Sequence, residues 1–165
     1  MLNAVTTDND GTGVCIWVKF KGTKEGRKTL LDTGAGISLM PKQLYDIVSK
    51  SQDIQMRPTD KRIRSVNERI IKCYGRADVE LEVDEQTFKH QFYVCEDEVK
   101  VLLGRDFMKN ARVQLEPARN RIKINGKKVT AYDVTGLKIR NTVNLISTMT
   151  GQKSVSQRLG VNFSG

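Results

Sequence analysis

Short apolar runs, broken by Gly, Asn, Asp or Pro, make up most of the chain as far as residue 126. Residues 14–20 alternate, with Val14, Ile16, Val18 and Phe20 on one side of a predicted strand. A period of two is typical of a strand with one buried face. By apolar content and turn residues we predict further strands at 28–31, 37–40, 63–66, 70–74, 78–83, 88–94, 99–103, 113–115, 121–124 and 127–134.

Two segments fit short helices instead. Pro41 stops an apolar run and suits the first turn of a helix that continues to Val48, and residues 106–110 predict a second short helix. Many short strands with one or two short helices predict a mostly β fold.

A chain of 165 residues is long enough for one domain with a proper core. The polar residues 1–13 predict an N-terminal arm, and residues 14–126 predict the domain itself. The segment 127–165 is basic and, towards its end, rich in Ser, Thr, Asn and Gln, which predicts an extension or a linker.

Histidine and cysteine usage narrows the chemistry. His90 is the only histidine, and Cys15, Cys73 and Cys95 form no C-x-x-C pair, so neither a zinc site nor a disulfide framework is indicated. Ser-His and Cys-His catalysis lose their usual base, and carboxylates remain as the catalytic candidates, with no cofactor. We predict that Cys73 and Cys95 are buried thiols and that His90, between two polar residues, lies on the surface.

The net charge of +9 is the only feature that favours nucleic acid. Lys and Arg alternate with Asp and Glu instead of forming runs, so we interpret most of them as solvated surface and rank nucleic acid as a secondary partner. The chain shows no apolar stretch of about 18 residues and no secretory pattern. From this we expect no membrane association and a cytoplasmic location.

The run at residues 30–35, Leu-Leu-Asp-Thr-Gly-Ala, carries the main catalytic candidate. An apolar strand would hold Asp32 rigidly at its end, the Thr33 hydroxyl can bond to backbone, and Gly34 lets another chain approach closely. Taken alone, Asp-Thr-Gly also suits an ordinary turn. A second run, Leu-Leu-Gly-Arg-Asp at 102–106, again leads an apolar strand into Gly and a helix.

This pair of motifs, at this separation, resembles the retroviral-type aspartic proteases (retropepsins), especially those of Gypsy-type LTR retrotransposons. The resemblance covers residues 14–126. It implies a closed, barrel-like β fold, a homodimer, and cleavage of a Gag-Pol-type polyprotein, in the cytoplasm or within virus-like particles. A catalytically inactive or cellular retropepsin-like binding domain is the alternative.

The resemblance also implies roles for particular residues. Asp32 would be the catalytic carboxylate, with Thr33 and Gly34 completing the catalytic loop. The hairpin within residues 61–75 would be the flap that closes over substrate, with Asn67 and Glu68 at a tip where Asn tolerates positive φ better than most residues. Substrate would contact Gly34, Ala35, Gly36, Ile37, Val66, Asn67 and Leu102.

Arg105 would tie the second helix to the catalytic loop and the dimer. Retroviral enzymes often carry an acidic residue where this chain has Gly36, so the usual carboxylate partner of this arginine is missing. Asp106 or a residue of the second subunit would replace it.

One catalytic Asp per chain implies two chains. Peptide hydrolysis by carboxylates needs one protonated and one ionised group in a shared site. No second Asp-Thr-Gly occurs in the sequence. The second carboxylate must therefore come from another copy across a two-fold axis.

Overall fold

The structure is a computed structural model that describes residues 2–5, 13–65, 67–116 and 121–133, without the side chains of residues 2–5 and 133. Two helices and thirteen strands lie within these residues. The helices are α1 Lys42–Gln52 and α2 Arg105–Asn110. The strands are β1 Leu2–Val5, β2 Val14–Phe20, β3 Arg27–Leu31, β4 Leu39–Pro41, β5 Arg62–Ser65, β6 Ile70–Ile71, β7 Cys73–Val83, β8 Gln86–Cys95, β9 Leu102–Leu103, β10 Val113–Glu116, β11 Arg121–Ile124, β12 Lys127–Val129 and β13 Ala131–Asp133.

Six strands close into a barrel in the order β2-β3-β9-β4-β8-β7, because β7 also pairs with β2. This confirms the predicted mostly β fold with a closed barrel. The longest pairing joins β7 to β8 across a two-residue turn at Asp84 and Glu85, which both have positive φ. A turn with two positive-φ residues has a backbone twist that matches the right-handed twist of the flanking strands. Two small sheets, β1-β5-β6 and β10-β11-β12, flank the barrel.

The main core fills the barrel with the inward residues of its strands. Ile16, Val18 and Phe20 of β2 are fully buried, as the alternation predicts. Phe20 meets Phe92 of β8 edge to face, with ring centroids 5.6 Å apart. Aromatic pairs in this geometry add about 0.5–1.5 kcal/mol to the stabilisation from buried area.

Helix α1 begins after Pro41 and runs to Gln52, four residues beyond the predicted end. It buries Leu44, Tyr45 and Val48 against the core. The Gln52 amide donates to the Glu80 carbonyl at 3.0 Å and accepts from its backbone N–H at 2.8 Å. The side chain of the last helical residue therefore bonds to the backbone of β7 and anchors the end of α1 there.

Two predicted strands are shorter than the apolar pattern indicates. The run at 37–40 becomes a strand only from Leu39, and the run at 99–103 only at Leu102. The backbone N–H of Ser38 donates to the Asp106 carboxylate instead of to a strand. Within the predicted N-terminal arm, Leu2–Val5 forms a strand parallel to Arg62–Ser65, a pairing that the polar composition did not predict. Neither described helix is long and apolar enough to cross a membrane.

Candidate active site

Asp32 lies immediately after β3 with its side chain 8% exposed. Its backbone N–H donates to the Leu103 carbonyl at 2.9 Å, which extends the parallel pairing of β3 and β9 by one bond. The chain then turns, and the N–H of Ala35 donates to the Asp32 carbonyl at 3.1 Å. The N–H of Gly34 donates to Oδ1 of Asp32 at 2.9 Å. Backbone groups therefore fix both the position and the orientation of this carboxylate.

The loop and the start of α2 cross in close contact. The N–H of Arg105 donates to the Ala35 carbonyl at 2.8 Å, and its guanidinium donates to the Thr33 carbonyl at 2.7 Å. A Cβ at Gly104 would lie 2.3 Å from the Ile37 carbonyl oxygen. Only glycine fits there, because the constraint is space rather than φ, which is −92°.

A polar cluster supports this crossing from behind. Ser38 Oγ donates to Oδ1 of Asp106 at 2.7 Å and accepts from the N–H of Gly104 at 3.1 Å. The N–H of Phe107 also donates to Oδ1, at 2.7 Å. Burial alone would raise the pKa of Asp106, but hydrogen bonds from His90 and Ser38 outweigh it and lower that pKa.

His90 completes the cluster and corrects the prediction of a surface histidine. It is 7% exposed, and its Nε2 lies 3.2 Å from both Oδ2 of Asp106 and Oγ of Ser38. The Asn110 amide lies 3.3 Å from Nδ1 and donates to it, so Nε2 carries the proton in the neutral ring. Phe88 and Phe92, two positions away on β8, face the same side, and that alternation is the signal that could have placed His90 inside.

Arg105 forms no ion pair with any carboxylate in the described residues, and Asp106 is not the substitute because its oxygens serve the polar cluster. Beside Gly36 a surface cavity of about 630 Å³ is lined by three cations, Arg105, Lys109 and Arg112. That a residue of a second subunit pairs with Arg105 stays a prediction.

Three of the residues predicted to contact substrate come together in a second apolar cluster. Ala35, Ile37 and Leu102 are at most 8% exposed there. The other buried members are Leu39, Ile63, Ile71, Tyr93 and Cys95. Ile63 and Ile71 belong to the 62–71 hairpin, formed by β5 and β6, so this hairpin shares an apolar cluster with the residues after Asp32.

The tip of the 62–71 hairpin is exposed. The N–H of Ser65 donates to the Arg69 carbonyl and that of Glu68 to the Ser65 carbonyl, both at 2.9 Å. Asn67 is exposed, and of the two tip residues it is Glu68 that has positive φ, at 67°. Val66 lies outside the described residues.

Among the described residues no group of three or more His, Cys, Asp or Glu side chains is placed to hold a metal ion. What the site presents is one oriented carboxylate per chain, beside an apolar surface and a hairpin. A two-carboxylate acid-base site would need a second such group beside it.

Comparison with known proteins agrees with this arrangement. A family model described as retroviral aspartyl protease matches residues 14–116. The fold is similar to the crystal structure of the retroviral protease-like domain of Ddi1 from Leishmania major, with a TM-score of 0.56 and 18% identity, over 79% of this chain and 97% of that one. EIAV protease in complex with the inhibitor HBY-793 matches with a TM-score of 0.49 and 19% identity, over 67% and 98%. No curated protein matches the chain. On the family match, the chain belongs to the retroviral aspartyl protease family.

Proposed function

We propose that this chain is an aspartic endopeptidase that works as a two-fold homodimer, each copy supplying Asp32. The observation that carries the proposal is the single Asp-Thr-Gly loop, with an Asp32 carboxylate that backbone groups orient at the end of a barrel strand. Thr33 and Gly34, beside it, are exposed in the single chain and accessible to a second copy. Two such loops on one axis would form a complete dyad.

In this mechanism the ionised Asp32 takes a proton from water, and the protonated Asp32 of the other copy polarises the scissile carbonyl. The oxygen of that water attacks the carbonyl carbon, and as the C–N bond breaks the second carboxyl gives its proton to the leaving amine. The reaction needs one ionised and one protonated carboxyl, so the rate should follow a bell-shaped pH profile centred on the acidic side of neutral.

The substrate would be an extended polypeptide held between the 62–71 hairpin, acting as a flap, and the floor of the dimer. The apolar cluster around Ala35, Ile37 and Leu102 supports a preference for apolar side chains next to the cleaved bond. By the resemblance to Gypsy-type enzymes, we propose a retroelement polyprotein as the natural substrate, in the cytoplasm or within virus-like particles.

A second candidate is a retropepsin-like domain that dimerises or binds peptide without cleaving it. It is favoured by the similarity in fold to the retroviral protease-like domain of Ddi1, because that similarity does not connect the fold with cleavage of a polyprotein. It is also favoured by Arg105, which has no carboxylate partner in the described residues. Cleavage assays separate the two candidates.

The first experiment measures cleavage of a peptide library by the wild-type chain and by Asp32→Asn, across pH and protein concentration, with pepstatin as a probe. We expect specific activity to rise with concentration and the variant to lose about 1,000-fold or more in kcat/KM, because the acid-base pair is gone. Asp84→Asn is the matched control, since Asp84 lies in an exposed turn and Asn tolerates its φ of 45°. An inert wild-type chain that is shown to be dimeric would remove the catalytic claim and favour the binding domain.

A further inference from the structure

Two cysteines lie opposite each other on the adjacent strands β7 and β8. Cys73 at the start of β7 is the register partner of Cys95 at the end of β8. The N–H of Glu96 donates to the Lys72 carbonyl at 3.1 Å, which makes the cysteines a non-hydrogen-bonded antiparallel pair. The Cα atoms of such pairs lie about 4.5 Å apart, with side chains close together, and disulfides span Cα separations of about 4.4–6.8 Å. The backbone therefore holds the two thiols where a bond can form.

The two thiols differ in exposure and acidity. Both are free, with Cys95 fully buried and Cys73 half-buried. A hydrogen bond between them lowers the pKa of Cys73 to about 7, against the opposing effect of burial. The same hydrogen bond and burial raise the pKa of Cys95. A reachable thiolate beside a protonated, protected thiol is the arrangement of an attacking and a resolving cysteine.

The pair lies at the base of the 62–71 hairpin. Ile71, two residues before Cys73, is 5% exposed and belongs to the same apolar cluster as Cys95. Cys73 packs against this cluster. A register shift between Cys73 and Gly75 interrupts the ladder at this place. Bulges bend a strand and allow local adjustment, so the arm of the hairpin meets the barrel at a bend.

We propose that Cys73 and Cys95 form a reversible disulfide that fastens the base of the 62–71 hairpin to strand β8. The oxidant is hydrogen peroxide. The Cys73 thiolate takes one peroxide oxygen, which gives a sulfenic acid and, with a proton, releases water. The Cys95 thiol then attacks the Cys73 sulfur, the S–S bond forms, and a second water leaves. A dithiol reductant reverses the reaction by thiol-disulfide exchange.

Formation of the bond stands on the structure alone, whereas its effect on cleavage rests on the proposed function. A disulfide at the bend limits how far the hairpin can lift from the cluster around Ala35, Ile37 and Leu102. A peptide that must pass under the hairpin would then bind more slowly, because lid opening sets the rate of many closed sites.

The bond itself is tested by treating the full chain with one equivalent of hydrogen peroxide and mapping disulfides by mass spectrometry of a non-reduced digest. We expect the Cys73–Cys95 link in the wild type and in the control Cys15→Ser, and its loss in Cys73→Ser and Cys95→Ala. Cys15 is buried on β2 and leaves the proposed pair intact. Absence of the link, or equal amounts of links to Cys15, overturns the proposal.

Hydrogen exchange then tests what the link does. In the oxidised wild type we expect the amides of the 62–71 hairpin to exchange about fivefold more slowly, with reversal by dithiothreitol. Peptide cleavage should fall by about tenfold and recover in the same way, and Cys73→Ser should respond in neither assay. If the Cys73–Cys95 disulfide forms but the hairpin amides exchange at an unchanged rate, the proposed restraint on the hairpin is wrong. A link with slowed exchange in a chain that cleaves no peptide leaves the redox inference standing and removes the proposed function instead.

Discussion

The loop that carries Asp32, residues 32–38, and the 62–71 hairpin share an apolar cluster but are held in opposite ways. Backbone N–H groups fix the loop at both ends, and Ser38 bonds through both its backbone and its side chain to Asp106. The hairpin ends in a two-residue strand, and residues 67–70 at its tip are exposed. Its ion pair between Arg64 and Glu68 lies at the surface.

This difference matches two different tasks. A catalytic carboxylate needs a fixed geometry, which buried hydrogen bonds and close backbone contacts provide. A cover over substrate has to open, and elements that open come from the least stabilised parts of a fold. Substitutions in the loop should therefore change stability and cleavage together, and substitutions at the hairpin tip should change cleavage alone.

Among the substitutions that test this difference between loop and hairpin, Gly104→Ala should have the largest effect. The new methyl group would lie 2.3 Å from the Ile37 carbonyl oxygen, so the loop and α2 must separate. We expect a loss of about 2–3 kcal/mol in the free energy of unfolding, from overpacking. Cleavage should fall about 100-fold, because the carboxylates would be misplaced. Denaturant unfolding and peptide cleavage measure the two effects.

Gly126→Ala is the control for that variant. Gly126 has φ of 85°, with no atom within 4 Å of an added Cβ among the described residues. It should cost about 1 kcal/mol from backbone strain and leave cleavage unchanged. Similar cleavage losses in both variants would mean that cleavage does not depend on the close contact between the loop and α2.

Asp106→Asn should have the next largest effect, and it should depend on pH. The folded-state pKa of Asp106 lies below the ordinary 3.8, so its charge stabilises the fold above that pH. This stabilisation is lost as the pH falls through the lowered pKa. We expect the variant to be less stable by about 1–2 kcal/mol at pH 6 and the gap to narrow below pH 3.8, as followed by thermal unfolding. A constant gap down to pH 2 would contradict this role for the carboxylate.

Ile70→Ser tests the proposed role of the hairpin as a cover over substrate. Ile70 is 69% exposed near the tip, so its removal should leave the free energy of unfolding within about 0.5 kcal/mol. If a bound peptide covers it, kcat/KM should fall roughly fivefold through lost apolar contact. Ile47→Ser on α1 is the matched control, since Ile47 is 51% exposed and lies outside the site. Equal cleavage by both variants would argue against the hairpin as a cover.

The smallest effect is expected at the Arg64–Glu68 pair. Its atoms lie 2.9 Å apart, but the Glu68 side chain is 77% exposed. A double-mutant cycle with Arg64→Ala and Glu68→Ala should give a coupling below about 0.5 kcal/mol that vanishes in high salt. A larger coupling would mean that the tip is held more firmly than its exposure indicates.

The sequence was informative where one pattern decided the structure. Alternation placed β2 correctly, and the two motifs that lead into Asp32 and Arg105 indicated the fold. Two predictions failed where a contact distant in sequence outweighed the local pattern. Ser38 lies in an apolar run, yet its N–H binds Asp106 rather than a strand, and the His90 side chain is buried like the residues two positions away on its strand, although its sequence neighbours are polar.

The sequence by itself indicated a fold built from short strands and predicted that carboxylates carry the chemistry, with one Asp32 from each chain. These conclusions depend on residue type and on periods of two, which are local properties. Only the tertiary structure decided that Ser38, His90 and Asp106 share a cluster and that Cys73 faces Cys95. Such contacts join residues 16 to 68 positions apart, and the register of closed strands sets them, because a shift of one residue would turn every side chain to the other face.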